Sequence, residues 1–390
     1  MRAVPTPTGL GLVASAAMDA AEFEARGLYD PRAPNAADRL ALLEWLAEQG
    51  ATPDQMLDAK KRDHLTGLAG DLALRPGPRL TPSEFAEKAG LTLDEVRRLA
   101  LTIGRPVEDL NDPAFTTDDI EGFRMFTVGA AVFGEEAILR FTRVVGSSLA
   151  RIADAAVSLF MSDVETPLSR ADAGELALAK ANLDAVGALS ALPPGMEIML
   201  RVHMEKAIER NRRGRAESSS PVTVVIAIGF VDLVGFTPLS QQMPVDELGA
   251  VVDDFEGVAH DTVASQGGQV VKLIGDEVMF VAVDATSASE IAIQLVERFG
   301  EEGRVTPRGG VAFGEVLTRG GDYYGPVVNL ASRIAELAVP NEILVTDEVR
   351  ARAEHALAPL QFDAAGRRML KGFDEPVELF ALRRGDDSVG

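Results

Sequence analysis

From residue 36 to 213, apolar side chains recur at helical spacing among Ala, Leu, Glu and Arg, with few strand-like alternations, which predicts an all-helical region. Within it, TPSEFAEKAGLTLDEVRRLALTIGRP (81–106) opens with Thr81, Pro82 and Glu84, breaks at Gly90, restarts at Thr92 with Glu95, and stops at Pro106. Two short helices about a glycine turn could form a DNA-reading helix-turn-helix. The second offers little basic surface beyond Arg97 and Arg98, so a helical hairpin packed into a domain is the better reading. Residues 127–161 are apolar around much of the helical circumference, which predicts burial in a domain or dimer core, with a pocket for an apolar ligand as the second reading. A long helix then starts at Pro193-Pro194 and closes in a basic cluster that complements its C-terminal dipole, before Ser218, Ser219, Ser220 and Pro221.

After Pro221 the pattern changes. PVTVVIAIGFVDL (221–233) is a near-continuous β-branched run, as in a strand buried on both faces. A helix is expected over 245–268, a hairpin about a Gly-Asp turn over 268–283, and then helix, strand, helix opened by Pro326, and a strand running into a helix. This order predicts an α+β, ferredoxin-like sheet with added pieces. The expected domains are 1–213, all-helical and ending in a linker helix over 193–213, and 214–390.

At 390 residues two cores are expected. A formal net charge of −22 argues against nucleic acid and anionic membranes as partners, because such binding rests on Lys and Arg. The absence of cysteine removes thiolate chemistry and Cys-based zinc sites. The N-terminal residues resemble a secretion signal only faintly, the lone Gly9-to-Ala14 dinucleotide-loop match has no strand before it, and no apolar stretch runs uninterrupted for the length of a membrane span. A cytoplasmic protein without a membrane span is expected.

Four fragments of the second region carry chemistry. FVDLVGFT (230–237) sets Asp232 where a buried strand ends; VKLIGDEV (271–278) sets Asp276 at a hairpin tip; GDYYGPVVNLASR (321–333) sets Asp322 in a loop with Asn329 and Arg333 four apart on one helix face; RRMLKGF (367–373) sets Lys371 before a glycine. Two carboxylates at neighbouring strand ends suit a divalent metal pair.

Asp232, Lys272, Asp276, Asp322, Asn329 and Arg333, in this order and spacing, resemble the catalytic domain of the class III adenylyl cyclases over about residues 221–385. The resemblance implies that Asp232 and Asp276 bind two Mg²⁺ or Mn²⁺ ions, that Lys272 and Asp322 read adenine, that Asn329 orients the ribose and that Arg333 stabilises charge at the α-phosphate. Lys371 would meet the triphosphate. It further implies conversion of ATP to cyclic AMP and pyrophosphate by a homodimer with two shared active sites. A diguanylate cyclase is the nearest enzymatic alternative and a non-catalytic nucleotide-binding module the other. The layout also resembles soluble actinobacterial cyclases whose helical domain restrains the catalytic dimer, some responding to pH, which makes His203 and His355 candidate sensors. Glu277 reads as a turn-end carboxylate.

Overall fold

The computed structural model describes residues 19–189, 191–301, 305–354 and 360–385. The signal-like N-terminal residues up to 18, with the Gly9-to-Ala14 match, and His355 lie outside these. The chain divides into two compact units, Met1–Leu200 and Arg201–Gly390, with the division inside the Leu192–Arg215 helix.

The first unit is helical. Thr81 and Thr92 each form a capping box with the glutamate three residues on, Glu84 and Glu95, starting helices Pro82–Ala89 and Leu93–Thr102. Gly90 between them is left-handed at φ 70°, a conformation that costs a side chain with a Cβ. Both helices bury their apolar faces: Phe85, Ala86, Val96, Leu99 and Ala100 form a core with Phe115, Phe123 and Leu139. A second core gathers around Phe23, Leu42, Leu43, Leu46 and Met56.

The expected burial of 127–161 is not found within this chain. Of its two helices, Asp119–Phe133 buries only Phe123 and Glu135–Phe160 only Leu139, while Val128, Val132, Phe133, Phe141, Val157 and Leu159 are each more than 60% exposed. The apolar positions encircle both helices, and the small core they pack against covers one side of each. Helix continues from Glu135 to Arg170, long and apolar enough by length and composition to cross a membrane, although Arg140, Arg143, Arg151 and Asp154 interrupt it.

The second unit is a mixed sheet. Its strands are β1 (Thr223–Val234), β2 (Gln269–Ile274), β3 (Glu277–Ala282), β4 (Thr306–Arg319), β5 (Asp322–Tyr324), β6 (Ile343–Thr346), β7 (Leu360–Arg368) and β8 (Val377–Arg384), ordered β2-β3-β1-β4-β6-β8-β7 with β5 paired to β4. Alternation along β1 sends Ala227, Val231 and Leu233 to one face and Val224, Ile226, Ile228 and Phe230 to the other, and both faces are covered. On the first face lie helices Val245–Ser265, Ala285–Glu301 and Asp347–Ala353; on the second lies Pro326–Leu337. The expected strand–helix–hairpin–helix–strand order is present; β5, β7 and β8 are strands that the apolar pattern did not reveal, and Asp322 opens β5 instead of lying in a loop.

Gly310 on β4 lets Pro326–Leu337 approach the sheet: a Cβ there would stand 2.3 Å from the Ala335 nitrogen and 2.6 Å from the Ala331 carbonyl oxygen. Backbone cannot swing aside as a side-chain tip can. Gly310→Ala is therefore expected to destabilise this unit by roughly 1–3 kcal/mol, the usual cost of overpacking. A lowered urea midpoint would bear this out, and an unchanged midpoint would show that the helix has room to retreat.

Candidate active site

Asp232 stands near the end of β1, opposite Glu277 on β3 and Arg308 on β4. Arg308 donates from Nε and Nη2 to the same Asp232 oxygen, Oδ2, at 2.9 and 2.7 Å, and from Nη1 to the Glu336 carbonyl at 2.8 Å. Asp276 occupies the β2–β3 turn beside left-handed Gly275 (φ 65°), and its carbonyl accepts from the Leu233 amide at 3.1 Å, so the backbones carrying the two aspartates are joined. Burial raises the Asp276 carboxyl above its ordinary range, and the neighbouring Asp232 charge adds to this against the opposing pull of Arg308. Glu277 is pushed up to about 7, first by burial and then by Asp232, Glu336 and Asp276, with Arg308 the opposing cation.

Asp232, Asp276 and Glu277 thus crowd around the Arg308 guanidinium, a site short of positive charge. That chemistry fits a divalent cation. No set of three or more His, Cys, Asp or Glu side chains able to hold an ion occurs among the described residues. Two carboxylates with substrate oxygens and water are nevertheless the donor set that Mg²⁺ ordinarily takes.

Lys272, next to a bulge in β2, does not turn to Asp276. Its Nζ meets Asp322 Oδ2 at 2.7 Å, and the Tyr323 amide donates to Asp322 Oδ1 at 2.8 Å. The cation and the carboxylate are therefore already assembled. Asn329, Arg333 and Lys371 line one cleft of about 410 Å³ with Pro326, Gly372 and Phe373. Arg333 also pairs with Glu336 at 2.6 Å, one turn along the same helix. A larger cavity, about 650 Å³ between Leu233, Val251, Phe255, Phe299 and Val305, contains none of the expected site residues.

The expected residues thus fall into three groups: Asp232 with Asp276, Lys272 with Asp322, and Asn329 with Arg333 and Lys371. Among the described residues no hydrogen bond or ion pair joins the first group to the second. The sequence pattern does not point to Arg308 or Glu336. For Arg308 the available signal was a charge just before the apolar 309–313 run of β4, and its partner 76 residues away is set by sheet pairing. His203 lies exposed on the Leu192–Arg215 helix.

A central strand with Asp232 near its end, beside a lysine–aspartate pair and a cleft lined by Asn and Arg, is the arrangement that the resemblance to the nucleotidyl cyclases leads one to expect. Residues 216–384 match the adenylate and guanylate cyclase catalytic domain, and residues 22–208 match the adenylate cyclase regulatory domain. Arg210 and its neighbours from 209 to 215 fall between the two matches. An adenylate cyclase of Streptomyces coelicolor is 32% identical over 78% of this chain and 81% of its own length. An uncharacterized protein of Mycobacterium tuberculosis is 32% identical over 94% of each chain. A pH-sensitive adenylate cyclase of the same species is 29% identical over 91% of this chain and 90% of its own. The chain belongs to the class III adenylate cyclase family and is a cyclase with a helical regulatory domain.

The Glu277 carboxyl predicts a pH dependence in metal-free protein. Its folded pKa, about 7, exceeds the ordinary 4.5, so the folded state binds the proton more tightly. The resulting stabilisation is fully present below pH 4.5 and is lost as pH rises through 7. In EDTA, Glu277→Gln should remove this part of the decline in urea midpoint, whereas parallel wild-type and variant profiles would exclude the assignment.

Proposed function

We propose that this cyclase converts ATP to 3′,5′-cyclic AMP and pyrophosphate, and that Lys272 and Asp322 select the base. The supporting observation is the preassembled Lys272–Asp322 pair. Adenine presents N1 as an acceptor and its N6 amine as a donor, which a lysine and a carboxylate complement; guanine reverses the polarity at both positions. In the reaction the ribose 3′-oxygen loses its proton and bonds to the α-phosphorus while the bond to the pyrophosphate oxygen breaks. Asp232 and Asp276 would hold two Mg²⁺ or Mn²⁺ ions, which supply Lewis acidity to the 3′-oxygen and the triphosphate. Arg333, in the cleft with Asn329, neutralises charge growing on the α-phosphoryl oxygens; Asn329 orients the ribose, and Lys371 at the same cleft meets the triphosphate.

The active site lies between two copies of the chain. One contributes Asp232 and Asp276, and the other contributes Lys272, Asp322, Asn329 and Arg333, giving a head-to-tail homodimer with two equivalent sites. With ATP or GTP and Mn²⁺, the expected product is cyclic AMP from ATP. Asp276→Ala should abolish turnover and Lys272→Ala should weaken the preference for ATP. Mixing the two variants restores one intact site per heterodimer, and no recovery of activity on mixing would count against the shared site.

The helical region 1–213 restrains the catalytic region 214–390, and pH acts on that restraint. Support comes from the family matches and from the pH-sensitive relative. Exposed His203 on the linker helix is the described candidate sensor, since histidine changes charge near neutral pH. Residues 214–390 alone should exceed the whole chain in activity and lose its pH profile, and His203→Ala should shift that profile. A fragment no more active than the whole would refute the restraint, and an unmoved His203→Ala profile would remove that residue from it.

A further inference from the structure

Tyr323 follows Asp322 in β5, a strand of three residues that among the described residues pairs with β4 alone and is entered through two left-handed glycines, Gly320 and Gly321. So short a strand has little hold of its own on a carboxylate that must face a base. Tyr323 supplies that hold from two directions. Its ring is buried in the sheet core with Val224, Ile226 and Val316, and its amide donates to Asp322 Oδ1 at 2.8 Å.

A phenol buried to this depth needs a polar partner for its hydroxyl. The partner here is Arg210, whose Nε donates to the Tyr323 hydroxyl oxygen at 3.1 Å. Arg210 is half-buried, whereas the preceding positions of its helix from 201 to 209 are exposed. One turn further on and on the same face, Gly214 is buried against β1; a Cβ there would stand 2.9 Å from Val224 Cβ and 3.2 Å from Ile226 Cγ2.

The residues that follow fasten the helix end. Glu217 pairs with Arg352 at 2.8 Å, and the Glu315 carboxylate accepts from Ser218, Ser219 and Thr223 at 2.6–2.9 Å. Arg210 is therefore presented to Tyr323 from a fixed base.

We propose that Arg210 is a positioning residue for base recognition: through the Tyr323 hydroxyl it fixes the strand that presents Asp322, so the linker helix sets the affinity and selectivity of the purine site. This rests on the reading of Lys272 and Asp322 as the base-selecting pair. Two hydrogen bonds connect the helix to that carboxylate, and a shift of the helix reaches it by the same route.

The test is steady-state kinetics of the full chain with ATP and with GTP in Mn²⁺, comparing Arg210→Ala, Arg210→Lys, Tyr323→Phe, the Arg210→Ala/Tyr323→Phe double variant and Asp322→Ala. Loss of a hydrogen bond from a charged donor should raise KM for ATP by roughly three- to tenfold in Arg210→Ala and Tyr323→Phe. In both, kcat should change less than KM, and the ratio of kcat/KM for ATP over GTP should fall. The double variant should be no worse than the more damaging single one, because both remove the same bond. Arg210→Lys, which keeps a donor, should recover most of the affinity.

If Asp322→Ala lowers the ATP preference while Arg210→Ala and Tyr323→Phe leave KM and the ratio unchanged, the positioning role is wrong and the base reading stands. Additive losses in the double variant would also overturn it. If Asp322→Ala itself leaves the preference unchanged, the base reading fails and the proposal with it. Arg210 is half-buried and belongs to neither apolar core of this unit, and Tyr323→Phe keeps the buried ring, so neither change removes core volume.

Discussion

β1 pairs antiparallel with β3 on one side and β4 on the other, and the register of these two ladders determines what surrounds Asp232. Side chains alternate faces along a strand, so a slip of one residue in either ladder would exchange inward and outward positions. Both faces of β1 are packed, which leaves it able to carry a charge only where the strand emerges from its cores. Asp232, Glu277 and Arg308 meet at that point. The rest of the site is placed relative to it: the β2–β3 turn brings Asp276 alongside, and Gly310 allows the helix bearing Asn329 and Arg333 to settle on the sheet.

Partly buried carboxylates are stable only when something offsets their charge. Arg308 supplies that for Asp232 and also ties the last turn of Pro326–Leu337 to the strand through the Glu336 carbonyl. One guanidinium does not balance Asp232, Asp276 and Glu277 together, and burial first, then this excess of negative charge, raises the carboxyls of Asp276 and Glu277. A divalent cation would offset the same imbalance.

Elsewhere, local anchoring substitutes for extensive pairing. β5 is too short to orient Asp322 alone and borrows rigidity from a buried tyrosine and the arginine that satisfies it. The segment between the linker helix and β1 contains three consecutive serines, yet two of them converge with Thr223 on the Glu315 carboxylate, which draws that group down to about 2. A stretch that reads as a flexible linker is held in place. The helices over 119–160 show the opposite case, in which apolar side chains outnumber the core positions this chain provides.

Most of the elements could be read directly from the sequence, because caps, glycine stops and apolar periodicity are local signals. Thr81 with Glu84, Thr92 with Glu95, and the Gly275-Asp276 turn needed no tertiary information. The six residues from Asp232 to Arg333 were legible as a set through their resemblance, in order and spacing, to the class III cyclases; locally, Asp232, Asp276 and Asp322 sit near a strand end, at a turn and at a strand start, whereas Lys272 lies within β2 and Asn329 and Arg333 within the helix Pro326–Leu337. What they touch was not legible. Lys272 and Asp276 look like partners at a spacing of four, but in a strand that spacing does not bring side chains into an ion pair, and Lys272 instead meets Asp322, 50 residues away. Arg210 gave no local signal and Arg308 no more than a charge within a strand, since the role of each is defined by a contact across 113 or 76 residues. Local pattern set most of the helices and strands, though not β5, β7 and β8, and showed where charge emerges from them; which charges meet is settled by the fold, because sheet register and helix docking bring together residues that no local pattern connects.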